Sequence, residues 1–229
     1  VHHFTFYQWI PGVNHENVYV AASMAVTLFI VLLSLAGRMA LGNGEAAIQP
    51  AGKFSIKGFF EVFTEFILSL VKMVLGDHSE EWVPLFAAIF FYIMLSNVAG
   101  LIPGLTASTQ NINTTLAVGL FSFIMYNFFG VKEHGLAYFK HFLGPVIWLA
   151  WLMLPIELIS HIVRPMSLGL RLSGNLSGDH AVLSIFLDLV PYGVPVIFYG
   201  LGLFVCLVQA LVFTLLSMIY LMMATAHDH

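Results

Sequence analysis

Residues 164–180 read Arg164-Pro165-Met166-Ser167-Leu168-Gly169-Leu170-Arg171-Leu172-Ser173-Gly174-Asn175-Leu176-Ser177-Gly178-Asp179-His180. The stretch lies inside a mostly apolar run from Pro145 to about Val190, which also holds Glu157, His161 and Asp188. At 1.5 Å per residue such a run makes a helix near ~69 Å long, more than twice the hydrocarbon thickness of a bilayer. Either it breaks near Pro155 or Pro165, or it lies steeply tilted. A permanently charged Arg at membrane depth costs at least about 2.5–3.5 kcal/mol on insertion scales, and about 10 or more on an isolated helix. Something must offset that cost at Arg171, because no acidic residue stands within one helical turn of it. Arg164 is ambiguous, since beside Pro165 it can snorkel or form a structural ion pair as well as serve an ion path.

Composition agrees with a membrane setting. The chain is 59% apolar and only 9% charged, against about 25% charged for an ordinary soluble domain, and its mean hydropathy is +0.92. With 8 Lys+Arg and 12 Asp+Glu there is no basic footprint for nucleic acid. Cys206 is the single cysteine and sits in an apolar run, so no disulfide framework and no Cys metal site is expected. His2, His3 and His15 lack a companion Cys or acid pattern, so neither metal nor cofactor is expected and, His180 apart, the remaining histidines receive no site. No Ser-His-Asp arrangement suggests a catalytic site.

Runs of about 20 apolar residues mark membrane-crossing helices. A polar leader (1–17) precedes a first span at 18–41, uninterrupted by charge until Arg38, and a Gly- and Pro-containing loop follows from Gly42 to Gly52. Residues 54–75 carry Lys57, Glu61, Glu65 and Lys72 among Phe59, Phe60, Phe63, Phe66, Ile67 and Leu70. These charges share one helical face, the pattern of an amphipathic helix lying in the membrane interface. A helical hairpin is expected over 82–130, from Trp82 to Ile102 with Asn97 near its end, then Thr114 to Gly130 after an uncharged link. A charged connection holding Lys132, Glu133, His134, Lys140 and His141 follows. Residues 145–226 form the last hairpin, slanted because the run from Val194 to Ala226 also exceeds a perpendicular crossing.

The expected fold is therefore an all-α polytopic membrane protein, one membrane domain over 1–229, with five crossings and one interfacial helix. Positive residues collect in the two charged connections and are missing from the leader and the Leu105 link. The positive-inside rule then puts the N-terminus outside and the C-terminus in the cytoplasm.

Around Arg171 the small residues Ser167, Gly169, Ser173, Gly174, Ser177 and Gly178 allow close approach of another helix. That serves ordinary helix packing, or a face that a partner's carboxylate reaches. On a continuous helix Glu157 lies ~21 Å back and within ~40° of the Arg171 face, and Asp179 lies ~12 Å on and ~80° round. An acid on each side suggests two polar pathways separated by the Arg.

Pro165 to Asn175 closely resembles the signature of subunit a of F-type ATP synthases. Leu154-Pro155-Ile156-Glu157-Leu158-Ile159-Ser160, Asn111-Ile112-Asn113-Thr114-Thr115-Leu116-Ala117, Leu207-Val208-Gln209-Ala210 and Ile219-Tyr220-Leu221 resemble the family too, so the likeness covers most of 82–226. The resemblance implies a stator subunit that offers protons two offset half-channels to a ring of c subunits and couples their flow to rotation and ATP synthesis, with peripheral-stalk b subunits as further partners, in a bacterial inner membrane. It gives Arg171 the place of the stator arginine, Asn175 and Gln209 those of polar residues lining the outer half-channel, and Glu157 that of an acid in the cytoplasmic one. Two departures stand out. Gly178-Asp179-His180 replaces the Ala-Gly-Glu of many bacterial members, and Gly202 stands seven residues before Gln209 where they often carry His. Asp179 and His180 are then the expected members of the outer relay. A sodium-coupled version of the same subunit is the nearest alternative, and a secondary transporter a more distant one, for which no internal repeat is visible.

Overall fold

The computed structural model describes residues 6–9, 13, 17–41, 55–76, 80–135, 150–189 and 193–225. The Gly42–Gly52 loop, Lys53, Lys140, His141, Pro145, Pro191-Tyr192, the His227-Asp228-His229 tail, and His2, His3 and His15 lie outside them.

Most of the described residues are helical. Six α-helices run in order: α1 Val18–Leu41, α2 Ile56–Leu75, α3 Val83–Leu101, α4 Ile112–His134, α5 Ala150–Leu189 and α6 Val194–Thr225. Short 3-10 turns at Phe6–Trp9, Glu80–Trp82 and Ser108–Gln110 punctuate them. α1, α3 (with its Glu80–Trp82 lead-in), α4 and α6 are long and apolar enough to cross a membrane. α5 is the polar exception, although at 40 residues it is the longest, ~60 Å at the helical rise.

Local sequence explains most of the boundaries. Ser55 caps α2 by accepting from the Gly58 N–H at 3.2 Å. Asn111 caps α4, its side chain accepting from the Asn113 N–H at 2.8 Å. Residues 132–134, expected to lie in a connection, instead form the last turn of α4, which closes at Gly135 with φ +56°. Charge does not end a helix, and Lys132 and His134 suit the negative C-terminal dipole; the glycine's left-handed backbone does end it. α5 runs unbroken through Pro155 and Pro165. Of the alternatives read from sequence, a break or a tilt, the break is ruled out.

Packing is tightest between α4 and α5. A Cβ placed on Gly119 would stand 2.7 Å from the Pro165 carbonyl oxygen, and one on Gly169 would stand 3.1 Å from the Thr115 carbonyl oxygen and the Leu116 nitrogen. Glycine on both helices lets the two backbones touch. α6 is the hub and packs on α2, α3, α4 and α5. Its Phe213, Met218 and Leu221 join Phe86 and Ile93 of α3, Ile67 and Val71 of α2 and Leu172 of α5 in one buried cluster. Buried hydroxyls and amides pair across helices, with Thr109 Oγ1 donating to Asn97 Oδ1 at 2.7 Å and Ser122 Oγ to Ser217 Oγ at 2.9 Å. α1 is peripheral, burying Ala22 while Met24, Leu28, Leu32 and Leu35 stay exposed.

On α2, Lys57 and Glu61 pair at 3.8 Å and Lys72 reaches Glu80 at 3.0 Å, while Ile67 and Val71 are fully buried and the apolar Phe59, Val62 and Met73 are exposed.

Candidate functional site

Arg171 lies on the exposed side of α5 and makes no ion pair among the described residues. Gly174 and Gly178 follow at three and seven residues, hence on the same face, and a Cβ on either would meet nothing within 4 Å. Val182, Ile185 and Leu189 continue that face and are exposed. The small residues near Arg171 therefore divide by role. Gly169 and Ser173 face inward, the first against α4 and the second donating through Oγ to the Gln110 carbonyl at 2.9 Å. Gly174 and Gly178 leave open space beside the guanidinium.

One turn beyond Arg171, Asn175 Nδ2 donates to Gln209 Oε1 of α6 at 2.9 Å. Gln209 is 7% exposed, so its amide gains a partner that hydrocarbon would not supply. Ser167 turns its hydroxyl back onto its own helix, donating to the Arg164 carbonyl at 2.9 Å. Arg164 stands over the Tyr220 ring, 5.4 Å from its centroid, a cation–π contact that favours its structural reading.

Asp179 and His180 project toward the interior. His180 is nine residues from Arg171 and so faces the opposite side of the helix, where it helps line a cavity of about 560 Å³. Gln110, Ser177, Ser184, Tyr199 and the Gly100–Ala107 link complete the polar part of its wall. The His180 ring reaches α3 where there is no side chain to oppose it, since a Cβ on Gly100 would lie 2.8 Å from His180 Nε2. His180 Nε2 and Asp179 Oδ2 are both buried without a hydrogen-bond partner. Unpartnered polar atoms beside a roomy polar cavity are sites where water binds. Gly202, in contrast, packs on α3, where a Cβ would stand 2.9 Å from Leu101 Cδ2.

Glu157 lies toward the other end of α5, partly buried. Four residues on, His161 is 7% exposed. Its Nε2 is 2.8 Å from Asn127 Oδ1 of α4, and the Phe123 and Tyr126 rings stand edge-on to it at 5.1 and 5.5 Å. Sequence reading gave His161 no site and did not single out Asn127. The signal present was the four-residue spacing from Glu157, which puts acid and imidazole on one face; the partner on α4 has no sequence signal.

Among the described residues no group of three or more His, Cys, Asp or Glu could hold a metal ion. The geometry is that of an open cationic face flanked by two separate polar regions inside the helices, one around Asp179, His180, Asn175 and Gln209, the other around Glu157 and His161.

Residues 18–222 match the ATP synthase A chain family. The chain is 56% identical over 227 residues to ATP synthase subunit a of Bdellovibrio bacteriovorus, covering 99% of each chain. It is 40% identical over 201 residues to ATP synthase subunit a 2 of Syntrophotalea carbinolica, 88% of this chain and 85% of that one. Identity to ATP synthase subunit a of Geotalea daltonii is 38% over 235 residues, covering both chains in full.

Proposed function

The chain belongs to the ATP synthase A chain family, and on that premise we propose that it is the proton-conducting stator of a rotary F-type synthase in a bacterial inner membrane. It has no catalytic site of its own. Its partners are a ring of c subunits and the b subunits of a peripheral stalk. α5 is the fourth of five crossings and α6 the fifth, α2 lies in the cytoplasmic interface, the N-terminus is outside and the C-terminus is in the cytoplasm.

In this reading protons reach the rotor from the outer side through the cavity beside Asp179 and His180, past Asn175 and Gln209. They protonate a rotor carboxylate, ride the ring, and leave past Glu157. Arg171 prevents the shortcut between the two regions. A guanidinium is a permanent cation that cannot relay a proton, and its charge favours the ionised rotor carboxylate at the crossing point. Rotation is biased by about 2.3 kcal/mol per charge per 100 mV of membrane potential, an energy that does work only while leakage is blocked.

The observation that supports this best is Arg171 itself, exposed, without a described carboxylate, and flanked by the open positions Gly174 and Gly178. A membrane scaffold has no use for such an arrangement. The test is ATP-driven ion uptake by vesicles holding the assembled complex. Proton uptake in sodium-free medium is expected, and uptake that requires sodium would convert the reading to the sodium-coupled subunit.

A further inference from the structure

Gly100 is the next-to-last residue of α3, and its backbone gives no reason for a glycine. The left-handed glycines are Gly76, Gly104, Gly135 and Gly193, whereas Gly100 is helical. Glycine in a helix is less stable than alanine, because it has more conformational freedom to lose. The reason for this one lies in the space around it.

A Cβ on Gly100 would stand 2.8 Å from His180 Nε2, 3.2 Å from His180 Cε1 and 2.6 Å from Ala107 Cβ. Heavy atoms in ordinary contact are about 3.5–4.0 Å apart, so a methyl group there would push the ring away by about 1 Å. Gly119, Gly169 and Gly202 make room for backbone or for leucine. Gly100 makes room for an imidazole. Ala107, 1% exposed, borders the same slot, and all three residues line the cavity.

The ring has no hydrogen bond to hold it at that edge, since His180 Nε2 is buried without a partner. Asn175 is different, because Gln209 fixes its amide. What holds the Nε2 edge of His180 in place is therefore shape, supplied by the side chain that Gly100 lacks and by the smallness of Ala107.

Resting on the proposed proton-conducting role, we infer that Gly100 is a positioning residue for His180. The slot at Gly100 holds the imidazole edge against α3 at the cavity wall, and so sets how fast protons pass on the outer side. Gly100 itself offers no group to a proton or to water; it acts only through the ring.

The experiment is ATP synthesis driven by an imposed proton gradient in vesicles, expressed as rate per assembled complex. Gly100→Ala is compared with the parent, and Gly100→Ala/Ala107→Gly with Ala107→Gly alone. The paired change removes the clash with Ala107 and leaves only His180 to be displaced. Every complex is also made with His180→Ala. With His180 present, the change at 100 should slow synthesis about tenfold in both comparisons, a loss that a ~1 Å misplacement of a working group can bring. With His180→Ala it should make no further difference. A glycine needed only for packing would act equally in both backgrounds, or would be rescued by Ala107→Gly, and either result overturns the inference. If Gly100→Ala/Ala107→Gly does not assemble, the yield of complex decides: His180→Ala should restore it, and continued failure overturns the inference. A His180→Ala complex as fast as the parent also overturns it while leaving the stator reading intact, whereas a parent driven only by a sodium gradient removes both.

Discussion

The Asn175 side-chain amide donates to Gln209 Oε1 at 2.9 Å, tying α5 to α6 one turn beyond Arg171. The bond joins residues 34 positions apart in sequence and sets two amides, groups that hydrogen-bond water without titrating, beside the exposed arginine's turn of α5.

If those two amides act as one unit, Gln209→Leu and Asn175→Leu should each slow ATP synthesis several-fold without abolishing it. A net hydrogen bond contributes about 0.5–1.5 kcal/mol, and the double variant should be no worse than the poorer single one. Rates in vesicles with verified assembly measure this. Multiplicative losses would mean that the amides act independently.

Neutralising the buried groups at the other side of α5, by Asp179→Asn or His180→Ala, should slow proton access without uncoupling the complex. The double variant should be slower than either. Both residues present unpartnered polar atoms, and His180 borders the cavity, so each offers water or a proton a foothold. Passive proton conductance through the membrane sector is the measurement. Unchanged conductance in the double variant would take both residues out of the pathway.

Gly119 and Gly169 should be intolerant of bulk. Gly169→Leu would drive a side chain into the Thr115 and Leu116 backbone and is expected to cost about 1–3 kcal/mol or more, seen as a lower thermal midpoint or a lower yield of assembled complex. Gly174→Ala, in open space, should not lower that midpoint and should instead weaken function, because on the proposed reading this face meets the rotor. Equal effects on stability at the two positions would refute the division into inward and outward glycines.

Labelling across the membrane tests where α2 lies. Cysteines at Ser55 and Gly76, the residues that bound the helix, should both react from the cytoplasmic side, as an interfacial helix with its Lys57–Glu61 and Lys72–Glu80 pairs requires. Reaction from opposite sides would make α2 a crossing and invert the topology beyond it.

Much of the fold was legible because apolar runs of bilayer length carry their own boundaries. Val18 to Leu41 shows no charge before Arg38, and Ser55 and Asn111 are capping residues wherever they occur before an apolar run. The end of α4 was not legible, because Lys132 and His134 are as welcome in a last helical turn as in a loop, and only the backbone at Gly135 separates the two. Within the candidate site, the resemblance nominated Arg171, Asn175 and Gln209, but spacing alone could not sort Gly169 from Gly174. Both are small, and which one meets α4 depends on how the helices pack. Asn127 was invisible for the same reason, since its partner His161 is 34 residues away.

The central claim is that Arg171 separates two proton paths, and it is tested most directly by measuring ATP synthesis and passive proton flux together in vesicles holding assembled Arg171→Ala complex. Without the cation, a rotor carboxylate at the crossing point loses the charge that favours its ionised form, and nothing divides the region of Glu157 from that of Asp179. Synthesis should fall to background while passive proton leak rises. Arg171→Lys should also fail, because an ammonium lacks the planar fork of donors and its pKa falls on burial. Normal coupled synthesis by Arg171→Ala would contradict the account and leave Arg171 a structural residue of α5.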